Sequence, residues 1–209
     1  MASNELAGRE RILDGALTCV GRYGLAKTTV EDVARASGLS RASIYRYFPG
    51  GRDELVDALI AWEMGRFFGR LAEHVADAPD FCSLIEDGLA FAHRSLVEHE
   101  VLRTMVALEP ERLLPVLSTE SSNVLPIIAA YLLPFLDREA RAGRVLPGVD
   151  RPVTADHLAR MVLSLMASPG EWDLDDPAQV RDLVRNELLA GVLTPAVLQT
   201  FPRTGEDLV

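Results

Sequence analysis

An all-α fold is predicted for this 209-residue chain, as an N-terminal three-helix helix-turn-helix domain (residues 1–52) joined to a larger helical bundle (residues 53–209). Three observations predict it. Apolar residues recur at helical rather than alternating spacing, and no convincing strand is found. Glycine, proline and hydroxyl residues punctuate the segments as helix stops and caps. Charge is divided unevenly: residues 1–52 carry eight Lys or Arg against five acids, within a chain of net charge −10. The acidic remainder is repelled by a polyanion, so only the first quarter suits one.

The elements follow in order. Residues 8–23 place Ile12, Leu13, Ala16, Leu17, Cys19, Val20 and Tyr23 on one face, and Gly24 ends the helix. A second helix, 30–37, follows Thr29, whose hydroxyl caps it while Asp32 completes a capping-box-like pair. A third, 41–48, begins after Ser40 and is stopped by Pro49-Gly50-Gly51. A long fourth helix, 52–77, acts as a bridge. Beyond Pro79 the expected helices lengthen, at 81–99, 101–108, 111–118, 122–143, 154–168 and 176–193. Thr154 is read as a helix start, and Asp176-Pro177 as a capping acid before a first-turn proline.

Composition excludes several classes. With 48% apolar and 25% charged residues the chain is globular rather than disordered. The longest apolar stretch, Val124 to Leu136, is too short to span a bilayer and holds two prolines. No secretory signal pattern opens the sequence, so the cytoplasm is the expected compartment. Cys19 and Cys82 read as buried free thiols. His74, His93, His99 and His157 lack metal-ligand spacing, and Asp173, Asp175 and Asp176 read as a loop and helix start, so no metal and no cofactor are expected. No nucleophile elbow, HExxH or phosphate-binding glycine loop occurs, and no catalytic residue is assigned.

The informative stretch runs from Thr28 to Phe48. Two short helices must cross closely, so Ala34 is small where they touch, Gly38 permits the positive φ of the turn, and Leu39 and Ile44 lock the helices together. Advancing 100° per residue from Ile44 puts Phe48 inward and Ala42, Ser43, Tyr45 and Arg46 outward or on the flanks. A small, hydroxylated, aromatic and basic face suits a helix lying in the major groove. Arg41 has the fork to pair with a guanine edge and Ala42 the methyl to meet thymine. Ser40 lies at the head of that helix, and Thr28, Thr29, Tyr47 and Arg52 are expected on phosphates.

Arg11-Ile12-Leu13-Asp14-Gly15-Ala16, Gly24, Thr28-Thr29-Val30, Gly38-Leu39-Ser40 and Ile44-Tyr45-Arg46-Tyr47-Phe48-Pro49 together resemble the TetR family of regulators, over roughly residues 8–60. The resemblance implies an all-α homodimer that binds double-stranded operator DNA and carries a divergent ligand domain, whose occupancy usually releases DNA. One departure is that Gly50-Gly51 precedes Arg52, where the family commonly has a single residue before a lysine.

In the second domain Trp62, Phe67, Phe91, Met105, Met161 and Trp172 are the candidate pocket residues for a hydrophobic or amphipathic effector, although such sets are more often core. The last two long helices carry apolar stripes, Leu158 to Met166 and Val180 to Val192. With the family resemblance these are expected to form the homodimer interface. The expected function is a ligand-releasable repressor. A ligand-dependent activator and, from another class, a helical protein-interaction adaptor are the alternatives.

Overall fold

A computed structural model describes residues 2–98 and 124–199. Two compact units divide the chain. One holds the described residues through Ala72 and from Leu96 to residue 98; the other holds Glu73–Ser95 and the described residues from 124 on. The expected helices 101–108 and 111–118, with Met105, lie outside the described residues.

The first unit contains α1 (Ala2–Tyr23), α2 (Val30–Ser37), α3 (Arg41–Tyr47) and most of α4 (Arg52–His74). No breaker stands between Ala2 and Gly8, so α1 begins earlier than the pattern of its apolar face requires. Ile12, Leu13, Val33, Ile44 and Phe48 are almost completely buried, and Leu55, Val56 and Leu59 from α4 join the same core. The first turns of α4 therefore belong to the helix-turn-helix core, and this unit extends past residue 52.

Local chemistry sets the short helices. Thr29 is extended at the head of α2; its Oγ1 accepts from Asp32 N at 3.2 Å and donates to Asp32 Oδ2 at 2.6 Å, while Thr29 N donates to the same carboxylate. This closes the capping box. Gly38 stops α2 at φ 66°, a left-handed conformation that disfavours a Cβ, and Leu39 N turns back to Ala34 O at 3.1 Å. Ser40 Oγ then caps α3 by accepting from Ser43 N at 3.1 Å.

In the second unit α5 (Phe81–Glu98), α6 (Val124–Arg141), α7 (Arg151–Ala167) and α8 (Pro177–Asp182, continued by a π-helical turn to Leu188) are followed by a single turn, α9 (Pro195–Leu198). α6 and α7 pack together, and Arg151 Nη1 reaches Asp137 Oδ1 at 2.9 Å. Helix α7 starts earlier than expected: Asp150, not Thr154, caps it by accepting from Val153 N, and the Thr154 hydroxyl donates back to Asp150 O at 2.7 Å.

The expected helix 176–193 is also revised. It ends at Leu188 because the following chain leaves to pair with the segment after α6. Leu146 N donates to Val192 O and Thr194 N to Arg144 O, both at 2.9 Å, around one antiparallel bridge between Val145 and Leu193. Val180, Leu183, Val184, Leu188, Leu189 and Val192 are all buried within the chain. That stripe is intramolecular core and offers no free face to a second copy.

Two ion pairs, each with a buried member, tie this unit. Arg185 Nε donates to Glu86 Oε1 at 2.8 Å and its Nη1 to Leu198 O at 3.2 Å. Arg144 grips the buried Glu139 carboxylate with two bonds, at 2.5 and 2.9 Å. Among the described residues no helix is long and apolar enough to cross a membrane.

Candidate nucleic-acid interface

Helix α3 presents the candidate surface. Ile44 is fully buried, which fixes the rotation of the helix, and Arg41, Ala42, Tyr45 and Arg46 are left exposed on its other sides. Tyr45 keeps 44% of its surface accessible. The Arg46 guanidinium lies 5.2 Å from the Tyr47 ring centre, a cation–π pair that supports its stem without enclosing its charge. Ser40 and Ser43 bond to each other at 2.9 Å across the first turn. Their hydroxyls therefore organise the head of α3.

The residues expected on phosphates do not all face outward. Thr29 is exposed beside the start of α2. Tyr47 is half-buried, the hydroxyl end of its ring lying so close to Gly8 of α1 that an added Cβ would make it shift. Thr28 is 5% exposed and its hydroxyl donates to Gly24 O at 2.8 Å, so its side chain closes the turn after α1. Arg52 is turned inward in the same way. Its Nε donates to Thr28 O at 3.0 Å and its Nη2 to Leu25 O at 2.6 Å and Ala26 O at 3.2 Å, while Nη1 lies 3.4 Å from Asp53. These donors stitch the α1–α2 turn to the head of α4. Both side chains, expected on phosphates, are here bonded within the chain.

Other residues enter that spacing did not single out. Lys27 and Arg22 flank a shallow hollow with Tyr23 and Asp32 beside the N-terminus of α2. Glu31 Oε1 sits 2.6 Å from Arg41 Nη1, linking the first turns of α2 and α3. That pair crosses between helices at no helical spacing, so only the tertiary crossing reveals it. Asp32 is engaged separately: the Thr29 hydroxyl, the Thr29 amide and Arg35 hold its carboxyl below the ordinary value of 3.8, the hydroxyl bond contributing most.

The candidate pocket residues fall in separate units. Trp62 and Phe67 belong to the first and Phe91, Met161 and Trp172 to the second. All five are half-buried. Trp62 carries the Arg66 guanidinium 4.6 Å from its ring centre, and Phe91 stacks on His74 at 4.7 Å.

The description "Bacterial regulatory proteins, tetR family" matches residues 12–59, the segment that builds the α1–α4 core. An uncharacterized HTH-type transcriptional regulator of Mycobacterium tuberculosis is 26% identical over 196 residues, covering 92% of this chain and 88% of its own. The helix-turn-helix segment of this chain, residues 12–59, is of the TetR family type. Among solved structures, a TetR-family transcriptional regulator from Pectobacterium atrosepticum superposes with a TM-score of 0.69 at 20% identity, covering 93% of this chain and 98% of its own. A SmeT–triclosan complex gives 0.57 at 23% identity, over 91% and 94% of the two chains; SmeT is the repressor of the Stenotrophomonas maltophilia multidrug efflux pump SmeDEF. With that segment and these relatives, the chain is a sequence-specific DNA-binding transcriptional regulator of TetR type.

Proposed function

We propose that this regulator is a ligand-releasable repressor in which residues 1–52 contact operator DNA and residues 53–209 bind the effector and dimerise. The observation that carries the DNA-reading part is the face of α3, where Arg41, Ala42, Tyr45 and Arg46 stand exposed over a fully buried Ile44. The first turn of the helix enters the major groove, Arg41 and Ala42 read base edges, and Tyr45, Arg46, Thr29 and Lys27 hold the backbone.

The effector is hydrophobic or amphipathic. Half-buried Phe91, Met161 and Trp172 supply apolar surface in the second unit, and a protein of the same fold, SmeT, forms a complex with triclosan. Ligand binding favours a conformer in which the two reading helices no longer match successive major grooves. Release requires different effector affinities in the two conformers.

The homodimer forms through α6 and α7. The stripe of α8 is buried in its own chain, whereas Ile127 on α6 and Val153 on α7 are 48% and 65% exposed.

Selecting bound sequences from random DNA with the purified chain tests the reading. A pseudo-palindrome is expected, followed by its release in mobility shifts when apolar compounds are titrated. Tightening by every active compound would instead make the chain a ligand-dependent activator, and recovery of no preferred sequence would remove the DNA-reading assignment.

A further inference from the structure

We propose that Glu31 is a positioning residue for base readout: it holds the Arg41 guanidinium at the head of α3 and withholds it from phosphates until a matching base edge competes. The proposal rests on α3 being the reading helix.

Arg41 is the first residue of α3, and the first turn of that helix contains no acid. The free N–H groups there give the helix end a partial positive charge that disfavours a cation. The compensating carboxylate comes from another helix. Glu31 lies in the first turn of α2, where a negative charge is favoured, and its Oε1 is 2.6 Å from Arg41 Nη1. The neighbouring carboxylate is already engaged, because Asp32 accepts from the Thr29 amide and hydroxyl and from Arg35 Nη1. Glu31 is therefore the acid of α2's first turn that engages Arg41.

With side chains 60% and 48% exposed, the pair is screened by water and adds little to stability. Weakness is what lets it act as a selector. An arginine free to swing at the groove edge meets phosphates on any sequence, whereas one held by Glu31 must exchange its carboxylate for something better. A guanine edge offers O6 and N7 to the fork together. A single phosphate oxygen is a poorer exchange. Discrimination then comes from a built-in penalty on the wrong contact as well as from the right one.

The test uses the full chain, a duplex selected by the wild type from random DNA, and a scrambled duplex of equal length, with affinities measured over a salt series. Glu31→Gln is expected to raise affinity for the scrambled duplex about three- to tenfold and to steepen its salt dependence by about one counterion, with little change on the selected duplex. Glu31→Asp keeps the charge but shortens the reach, so it too should lower the ratio of selected to scrambled binding. Neither change should matter in an Arg41→Ala background. Wild-type discrimination in Glu31→Asp, or an equal Glu31→Gln effect with and without Arg41, would reduce Glu31 to a bulk charge and overturn the proposal. If Arg41→Ala alone leaves discrimination intact, Arg41 reads no base and the underlying reading fails with it. Loss of discrimination on Arg41→Ala with no response to either Glu31 variant overturns the positioning role only.

Discussion

At Arg52, three carbonyl oxygens of the turn between α1 and α2 accept from Nε and Nη2 of the guanidinium. This structural role and the expected phosphate role separate by measurement. Arg52→Ala is expected to cost about 1.5–3 kcal/mol of stability, as loss of charge-assisted bonds to partly buried carbonyls does, while leaving the salt dependence of DNA binding unchanged. A variant of wild-type stability whose salt slope falls by about one would assign Arg52 to a phosphate. Asp32 gives a second residue-scale prediction. Its folded carboxyl lies below the ordinary value of 3.8, so its contribution is present above that pH and is lost as pH falls through the folded value. Asp32→Asn should flatten the acid side of the stability profile below about pH 4 and leave neutral melting behaviour governed by the weakened cap. An unchanged acid limb would show that the box contributes nothing through this charge. The sequence made the cap legible because Thr29 and Asp32 are three residues apart. The inward turn of Arg52 was not legible, since the acceptors are main-chain atoms more than twenty positions away that no residue type advertises.

Elements obey the same division between local and distant causes. Helices α2 and α3 match their expected starts because each has its own cap, Thr29 and Ser40, and Gly38 stops α2 between them, all written within a few residues. The docking of α2 on α1 depends on Gly15, where a Cβ would stand 2.9 Å from the Ser37 backbone nitrogen. Backbone cannot yield as a flexible side chain can, so Gly15→Ala must push the two helices apart. We expect a loss of about 1–3 kcal/mol and, because α2 supports α3, a parallel loss of operator binding. Unaltered melting would mean that the helices separate freely and that the close approach is incidental. At the other end of the chain the apolar pattern from 176 to 193 is helical throughout, yet the helix stops at Leu188. Pairing of residues 192–194 with 144–146 competes with another helical turn and wins. Periodicity records which residues are buried, and all six of the stripe are. It does not record whether the covering surface is the same chain or a second copy, which is why the stripe of α8 alone does not identify a dimer face.

At the scale of the whole molecule the charge division limits how a single chain can bind. A net charge of −10 opposes a polyanion, and one short reading helix presents only a few contacts. Two copies related by a two-fold axis double those contacts on a pseudo-palindromic site, with half-sites about one duplex turn, roughly 10 base pairs, or a little more apart. Aspartate at both Ile127 and Val153 places two charges in the proposed α6–α7 interface while altering no residue of the first unit. The double variant should sediment as a monomer with wild-type helix content. Its operator affinity should fall by about a hundredfold or more, because two half-sites are no longer held at one effective concentration, while binding to a single half-site stays within about twofold of wild type. Inserting about five base pairs between half-sites should reproduce the operator loss in the unmodified protein, since it turns the second groove to the far side of the duplex. A double variant that remains dimeric would move the interface elsewhere, and one that is monomeric yet binds the full operator normally would show that dimerisation is not what gives this regulator its affinity.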